Sequence, residues 1–260
     1  MSPTLDERIA TLNGLMGQLD RHLTGYRVYL KYCIPDAILF HLGIDVLEQG
    51  GAVVTLARTK APRAAVANAR SAFESSLDML LLLAEPTLYD EMGALARACE
   101  LLTWEDLRRK RAVANETLGL PPPPPSATPE EAVESELRTW EKESPGVGET
   151  YRRVLAQARA DGRWKHHWSG HGTIVERTRA IATKWKTEHG FVETGEVLWS
   201  LQSVHAHPGP RTGMRAFGSD QQGRVTISPK PSDALFPVGA TTTACEHAIR
   251  ALERRAALIP

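Results

Sequence analysis

The sequence is poor in cysteine. Cys33, Cys99 and Cys245 are the three in 260 residues, far apart and with no C-x-x-C pair. That excludes a disulfide framework and a cysteine-built zinc site. Cys99 and Cys245 fall in helical patterns, where a buried thiol acts as a small hydrophobe. Net charge is also missing: Lys plus Arg and Asp plus Glu both total 31. A global pull toward nucleic acid or an acidic membrane is therefore excluded, and only a local patch can do that work. The longest greasy stretch, residues 77–84, is interrupted by Asp78 and falls short of the ~20 residues of a membrane span. Residues 1–8 lack the basic region and apolar run of a secretory signal. A cytoplasmic location and no membrane partner are expected.

What is present is ordinary for a globular chain: 42% hydrophobic, 24% charged, 28.6 kDa. A sizeable core can be buried. Residues 5–23 carry Leu5, Ile9, Leu12, Leu15 and Leu19 at helical spacing. Pro35-Asp36 opens a second helix that Gln49-Gly50-Gly51 is expected to close. Residues 52–60 read as helix or connector. Residues 64–84 form the strongest helix, with an apolar stripe of Val66, Ala69, Phe73, Leu77, Leu80 and Leu81, ended by Pro86. Residues 89–118 form another, with Leu95, Leu102 and Val113 inward. Its basic run Arg108 to Arg111 reads as cations complementing the C-terminal dipole.

Five prolines, Pro121 to Pro125, make a stiff extended connector within residues 120–129. An acidic, solvated helix over 130–143 and a helix over 151–160 follow. Thr173 with Glu176 reads as a capping box, with Ile174, Thr178, Ile181 and Trp185 on the inner face. A helix over 193–207 stops at Pro208. Residues 214–217 and 224–227 flank a turn, which predicts a small β-hairpin. Thr243 and Glu246 are expected to cap the last helix, with Ala248, Ile249 and Leu252 inward. The pattern predicts an all-α, multi-helix bundle of seven or eight helices with that hairpin before the C-terminal helix. The whole, residues 1–260, reads as a single helical domain in which the proline run is an excursion.

Three places carry chemistry. Residues 152–189 hold nine Lys or Arg against three acidic residues. Within them Arg163, Trp164, Trp168 and His171 mix cations with indoles, a composition suited to RNA or a phosphate-bearing small ligand. The bland alternative is a loop whose Trp residues anchor in the core while the cations stay in water. His166, His167 and His171 offer imidazoles for a metal, although Ser169, Gly170 and Gly172 disfavour the regular helix that would align them and no His-Glu-x-x-His motif is present. No cofactor or metal is assigned. On the central helix Arg70, Glu74 and Asp78 recur at i, i+4 and i+8. They form either a solvent face or a polar seam between helices in which Arg70 holds an anion. Trp199, Ser203 and His207 repeat that spacing, and His207 ends its helix as an acid, a base or a dipole-stabilised cation.

Residues 69–83, with Arg70-x-x-x-Glu74, then Trp168-Ser169-Gly170 at the start of residues 168–177, then Trp199-x-x-x-Ser203-x-x-x-His207 within residues 198–208, occur in that order. Together they resemble an uncharacterised bacterial helical family known as domain of unknown function 5677, over residues 60–255. The resemblance implies polar positions at Arg70, Glu74, Trp168, Ser203 and His207, and no firm activity. A more distant likeness is to HEPN helical domains of RNA-cleaving toxins and defence proteins. Their Arg, four to six residues, then His on one helix is not met here, so an RNA-cleaving activity would need Arg70 supplied from another helix.

Three functional readings result. The first is a binding or interaction module, with a protein partner or a second copy, in which the Arg70–Glu74 and Ser203–His207 groups close a structural network. In the second, Arg70 binds a phosphate-bearing ligand such as RNA, His207 is general acid or base, Glu74 orients and Ser203 hydrogen-bonds the ligand. The third is a metalloenzyme built on the three histidines. The first ranks ahead, because no complete catalytic signature is present.

Overall fold

The computed structural model describes residues 3–26, 34–59, 64–121, 129–142, 145–161, 173–185, 217–219, 225–227 and 232–257. Among them are eight helices: α1 Leu5–Tyr26, α2 Ile34–Ala57, α3 Ala65–Ala84, α4 Leu88–Thr117, α5 Pro129–Trp140, α6 Val147–Asp161, α7 Ile174–Trp185 and α8 Ser232–Ala256. The protein is all-α. Three-residue runs at Phe217–Ser219 and Val225–Ile227 pair antiparallel. A ladder that short has no independent stability, and most of the residues expected to form the hairpin lie outside those described. By internal packing the chain divides into two compact units. The first comprises residues 1–85 and 173–260, and the second residues 86–172. The proline run falls inside the second.

The first unit is built around α3. Val66, Ala69, Phe73, Leu77, Leu80 and Leu81 are all buried, as their helical spacing predicts. Each large apolar side chain so buried contributes ~1.5–3 kcal/mol. Helices α2, α7 and α8 pack against it, and α1 packs on α2 and α8. A capping box starts α1: the Thr4 N–H donates to Glu7 Oε2 at 2.6 Å and the Glu7 N–H to Thr4 Oγ1 at 3.3 Å. The expected box also starts α7, with the Thr173 N–H donating to Glu176 at 3.0 Å and the Glu176 N–H to Thr173 Oγ1 at 3.1 Å. Such caps satisfy two otherwise orphaned donors. Arg255, in the last turn of α8, donates to Asp36, in the first turn of α2, at 2.6 Å. Each charge there has the sign its own helix end favours.

Two boundaries differ from expectation. Helix α2 runs through Gly50-Gly51 to Ala57 instead of closing there. A Cβ on Gly50 would lie 2.8 Å from Met16 Sδ, so this glycine allows α1 and α2 to approach closely and is not a stop. The result is a helix over Asp36–Ala57 long and apolar enough, by length and composition, to cross a membrane; it packs on α1, α3 and α8. Helix α8 begins at Ser232, well before Thr243. Thr241, Thr242 and Thr243 turn their hydroxyls back to the carbonyls of Pro237, Val238 and Gly239 and cap nothing. This back-bonding is a mid-helix option for threonine.

The second unit packs α4 against α6, with α5 beside both. Ala94, Ala98, Leu101, Val133, Tyr151 and Val154 form its core. Gly93 is the tightest point: a Cβ there would sit 1.7 Å from Trp140 Cη2, so the indole lies directly on the α4 backbone. The α5–α6 turn uses Gly146 at φ +94°, a conformation glycine adopts freely. Glu141 accepts the Gly146 and Gly148 N–H groups at 2.7 and 2.8 Å, closing the start of α6 with an anion.

Candidate functional site

The polar face of α3 is buried against α7. Arg177 of α7 is 3% exposed. Its Nη1 donates to Asp78 Oδ1 at 2.8 Å and its Nη2 to Glu74 Oε2 at 2.7 Å. Arg70 Nε donates to the other Glu74 oxygen, Oε1. Two cations and two carboxylates thus alternate along two turns of α3, and both Glu74 oxygens are engaged. On the neighbouring flank Ser75 donates to Asp45 of α2, which also accepts from Gln49 at 3.4 Å. This is the polar seam, not the solvent face, of the two alternatives the Arg70–Glu74–Asp78 spacing offered.

Burial by itself would raise the Glu74 carboxyl. The Arg177 charge, hydrogen bonds from Arg70 and Arg177, and the Arg70 charge outweigh burial and hold it below its usual value. Burial likewise opposes the charge of Arg177, and Asp78 and Glu74 reverse that and push its pKa up. Both groups are locked in their ionised forms. A carboxylate held that way is poorly matched to general acid–base work near neutrality, where a pKa close to the working pH is needed.

Arg177 was not singled out in the sequence, yet the signal was there. It lies three residues after Ile174 and four before Ile181, both on the inner face of α7, and so shares that face. A cation there requires an acidic partner inside, and Glu74 and Asp78 were the candidates. Of the other expected site residues, Ser203, His207, Arg163, Trp164, Trp168 and His171 lie outside the described residues, as do His166 and His167. Among the described residues no group of three or more His, Cys, Asp or Glu could hold a metal.

Two thiols and one imidazole are inert by environment. Burial, helped by Glu246, pushes the Cys245 thiol up to about 12, and burial raises Cys99. Neither is a poised nucleophile, because the thiolate is the reactive form. His247 of α8 packs against Phe73 of α3, ring centroids 5.9 Å apart. Burial, with Arg250 adding to it, lowers His247 to about 4 and keeps the ring neutral.

Within the second unit a groove of about 1010 Å³ runs over Leu101, Val133, Leu137, Tyr151 and Leu155. Several of its rim charges are used internally: Arg138 faces Glu134 at 3.6 Å, Arg159 pairs with Glu105, and Glu141 holds the α6 start. The extent of α4 matches the expected 89–118, but the dipole role expected of its basic run does not hold. Helix α4 continues to Thr117 and has no base in its last turn, so Arg108 to Arg111 are mid-helix. The helix dipole, which acts within the last turn, does not account for them. Val113, expected inward, is 58% exposed.

Comparison with protein-family models, with curated proteins and with solved structures returned no match.

Proposed function

We propose that this chain is a helical binding module whose Arg70–Glu74–Arg177–Asp78 network is a structural clasp and not a reaction centre. The observation that carries this reading is the burial of Arg177 with both terminal nitrogens on carboxylates of α3. A catalytic centre needs a group left for substrate and a pKa near the working pH. The clasp instead uses both Glu74 oxygens and holds that carboxylate ionised. A buried cation between two acids ties α7 to the central helix. Removing one partner of such a set costs about 3–5 kcal/mol, because a charge is left buried and alone.

The RNA-processing reading and the metal reading rest on Ser203, His207 and the three histidines, and nothing in the described geometry favours either. The likeness to the helical family of unknown function and a cytoplasmic location remain part of the proposal.

The test pairs two measurements on the parent and Arg177→Met: the thermal midpoint, and turnover of an end-labelled single-stranded RNA. The clasp reading expects a large drop in midpoint and no RNA turnover by the parent. A variant that melts with the parent but loses an RNA-cleaving activity the parent has would overturn it.

A further inference from the structure

The second half of α4 presents an apolar seam studded with cations and free of acids. Trp104, Leu107, Arg111, Ala114 and Leu118 recur at spacings of three and four, which places them on one face. Trp104, Leu107 and Leu118 are 51%, 52% and 70% exposed. Arg111 lies within this stripe and Arg108 at its edge, both exposed. Among the described residues neither makes an ion pair, whereas Arg109 and Lys110 are both held by Asp106, at 2.7 and 2.6 Å. Glu105, off the seam, is paired with Arg159. Asp106 and Glu105 are therefore occupied by other cations, and the stripe with Arg108 and Arg111 is left apolar and positive. The helix dipole gives these cations no internal role, as shown above.

The geometry points to this face as the docking surface for an acidic amphipathic helix of a partner protein. This rests on reading the chain as a binding module, and it names the partner's chemistry. The partner would bring apolar side chains at the same three-and-four spacing, flanked by Asp or Glu opposite Arg108 and Arg111. The seam from Trp104 to Leu118 is ~21 Å long at 1.5 Å per residue, the length of a four-turn helix. Three alternatives fit less well. A second copy of this face would set Arg108 and Arg111 against their own kind, which is repulsive. RNA would meet the cations but leave Leu107 and Leu118 uncovered. An anionic bilayer gains about 1 kcal/mol from each nearby cation, and two are few for stable attachment.

The experiment titrates the full chain into a fluorescently labelled 18-residue helical peptide with leucines at three-and-four spacing and glutamates flanking them. The same peptide with flanking lysines, phosphatidylserine vesicles and polyuridylate run in parallel. The glutamate peptide should bind about tenfold more tightly than the lysine peptide, and less tightly in high salt. Arg108→Glu with Arg111→Glu should invert the preference while leaving the circular dichroism spectrum unchanged. Trp104→Ala should weaken both peptides. No binding of the glutamate peptide, equal binding of the two peptides, or binding of vesicles or polyuridylate in its place overturns the proposal. So does self-association that Trp104→Ala abolishes. None of these results bears on the clasp, whose failure is read from the melting of Arg177→Met.

Discussion

Arg177 and Asp78 stand 99 positions apart in the chain and 2.8 Å apart in space, with Arg177 Nη1 donating to Asp78 Oδ1 inside the first unit. That pairing joins the central helix to a helix that follows the whole second unit in sequence. Loop closure over so long a separation is entropically unfavourable, and the contact that secures it is ionic and buried.

The members of the clasp should differ sharply in weight. Arg177→Ala leaves Glu74 and Asp78 facing each other in the interior and should cost about 3–5 kcal/mol. Arg70 is 21% exposed in its side chain, so water screens its loss and Arg70→Ala should cost roughly 1 kcal/mol or less. Urea denaturation followed by circular dichroism measures both. Equal costs would contradict the arrangement.

Acid should destabilise the first unit in two steps. His247 is lowered to about 4 in the folded state from an ordinary 6.5. Between those values the unfolded chain binds the proton and the folded one does not, so stability falls as pH drops through that window. The loss is on the order of 3 kcal/mol when complete. Glu74 acts the same way lower down: its folded carboxyl is held below the ordinary value, so the stability it adds is present above that value and lost as pH falls through the folded one. His247→Phe should flatten the first step and leave the second. A variant with the parent's full pH dependence would show that His247 does not supply it.

Gly93 and Gly50 make a contrast in the same substitution. Gly93→Ala drives a methyl into the Trp140 ring, where a Cβ would meet Cη2 at 1.7 Å and Cζ2 at 2.5 Å. A rigid indole must leave its place, at a cost of about 1–3 kcal/mol or more. Gly50→Ala meets the end of the flexible Met16 side chain at 2.8 Å. Its cost should be smaller, since methionine adapts its rotamer readily. Thermal melts order the two, and a near-ultraviolet spectrum altered only in Gly93→Ala would place the disturbance at the tryptophan.

The Thr173–Glu176 box supports α7 at the end that carries Arg177. Thr173→Ala removes the hydroxyl that accepts the Glu176 N–H at 3.1 Å and should cost about 1 kcal/mol. Hydrogen exchange should quicken first in the opening turn of α7. Unchanged exchange there would mean the cap carries no weight.

Much of the helical layout was legible because the apolar periodicity is strong where burial is strong. The α3 stripe and the α7 capping box are read directly from spacing. The errors have a common cause. Gly50-Gly51 and Thr243 are residues that often mark helix ends, but here they lie inside helices, where tertiary packing and hydroxyl back-bonding override the local preference. The polar seam was half visible: Arg70, Glu74 and Asp78 share a helical face by spacing alone. Which cation sits between the acids depends on a helix almost a hundred residues away, and local pattern does not carry that. The positive seam on α4 is obscured by reading Arg108 to Arg111 as a helix end, although a helix over 89–118, which the structure matches at Leu88–Thr117, leaves them outside the last turn.

The most direct measurement is the urea midpoint of three proteins: the parent, Arg177→Met, and Arg177→Met combined with Glu74→Gln and Asp78→Asn. If the network is a clasp, the single variant loses several kcal/mol and the triple variant recovers much of it, because no uncompensated charge stays buried. A single variant as stable as the parent, or a triple variant no better than the single, would contradict the clasp.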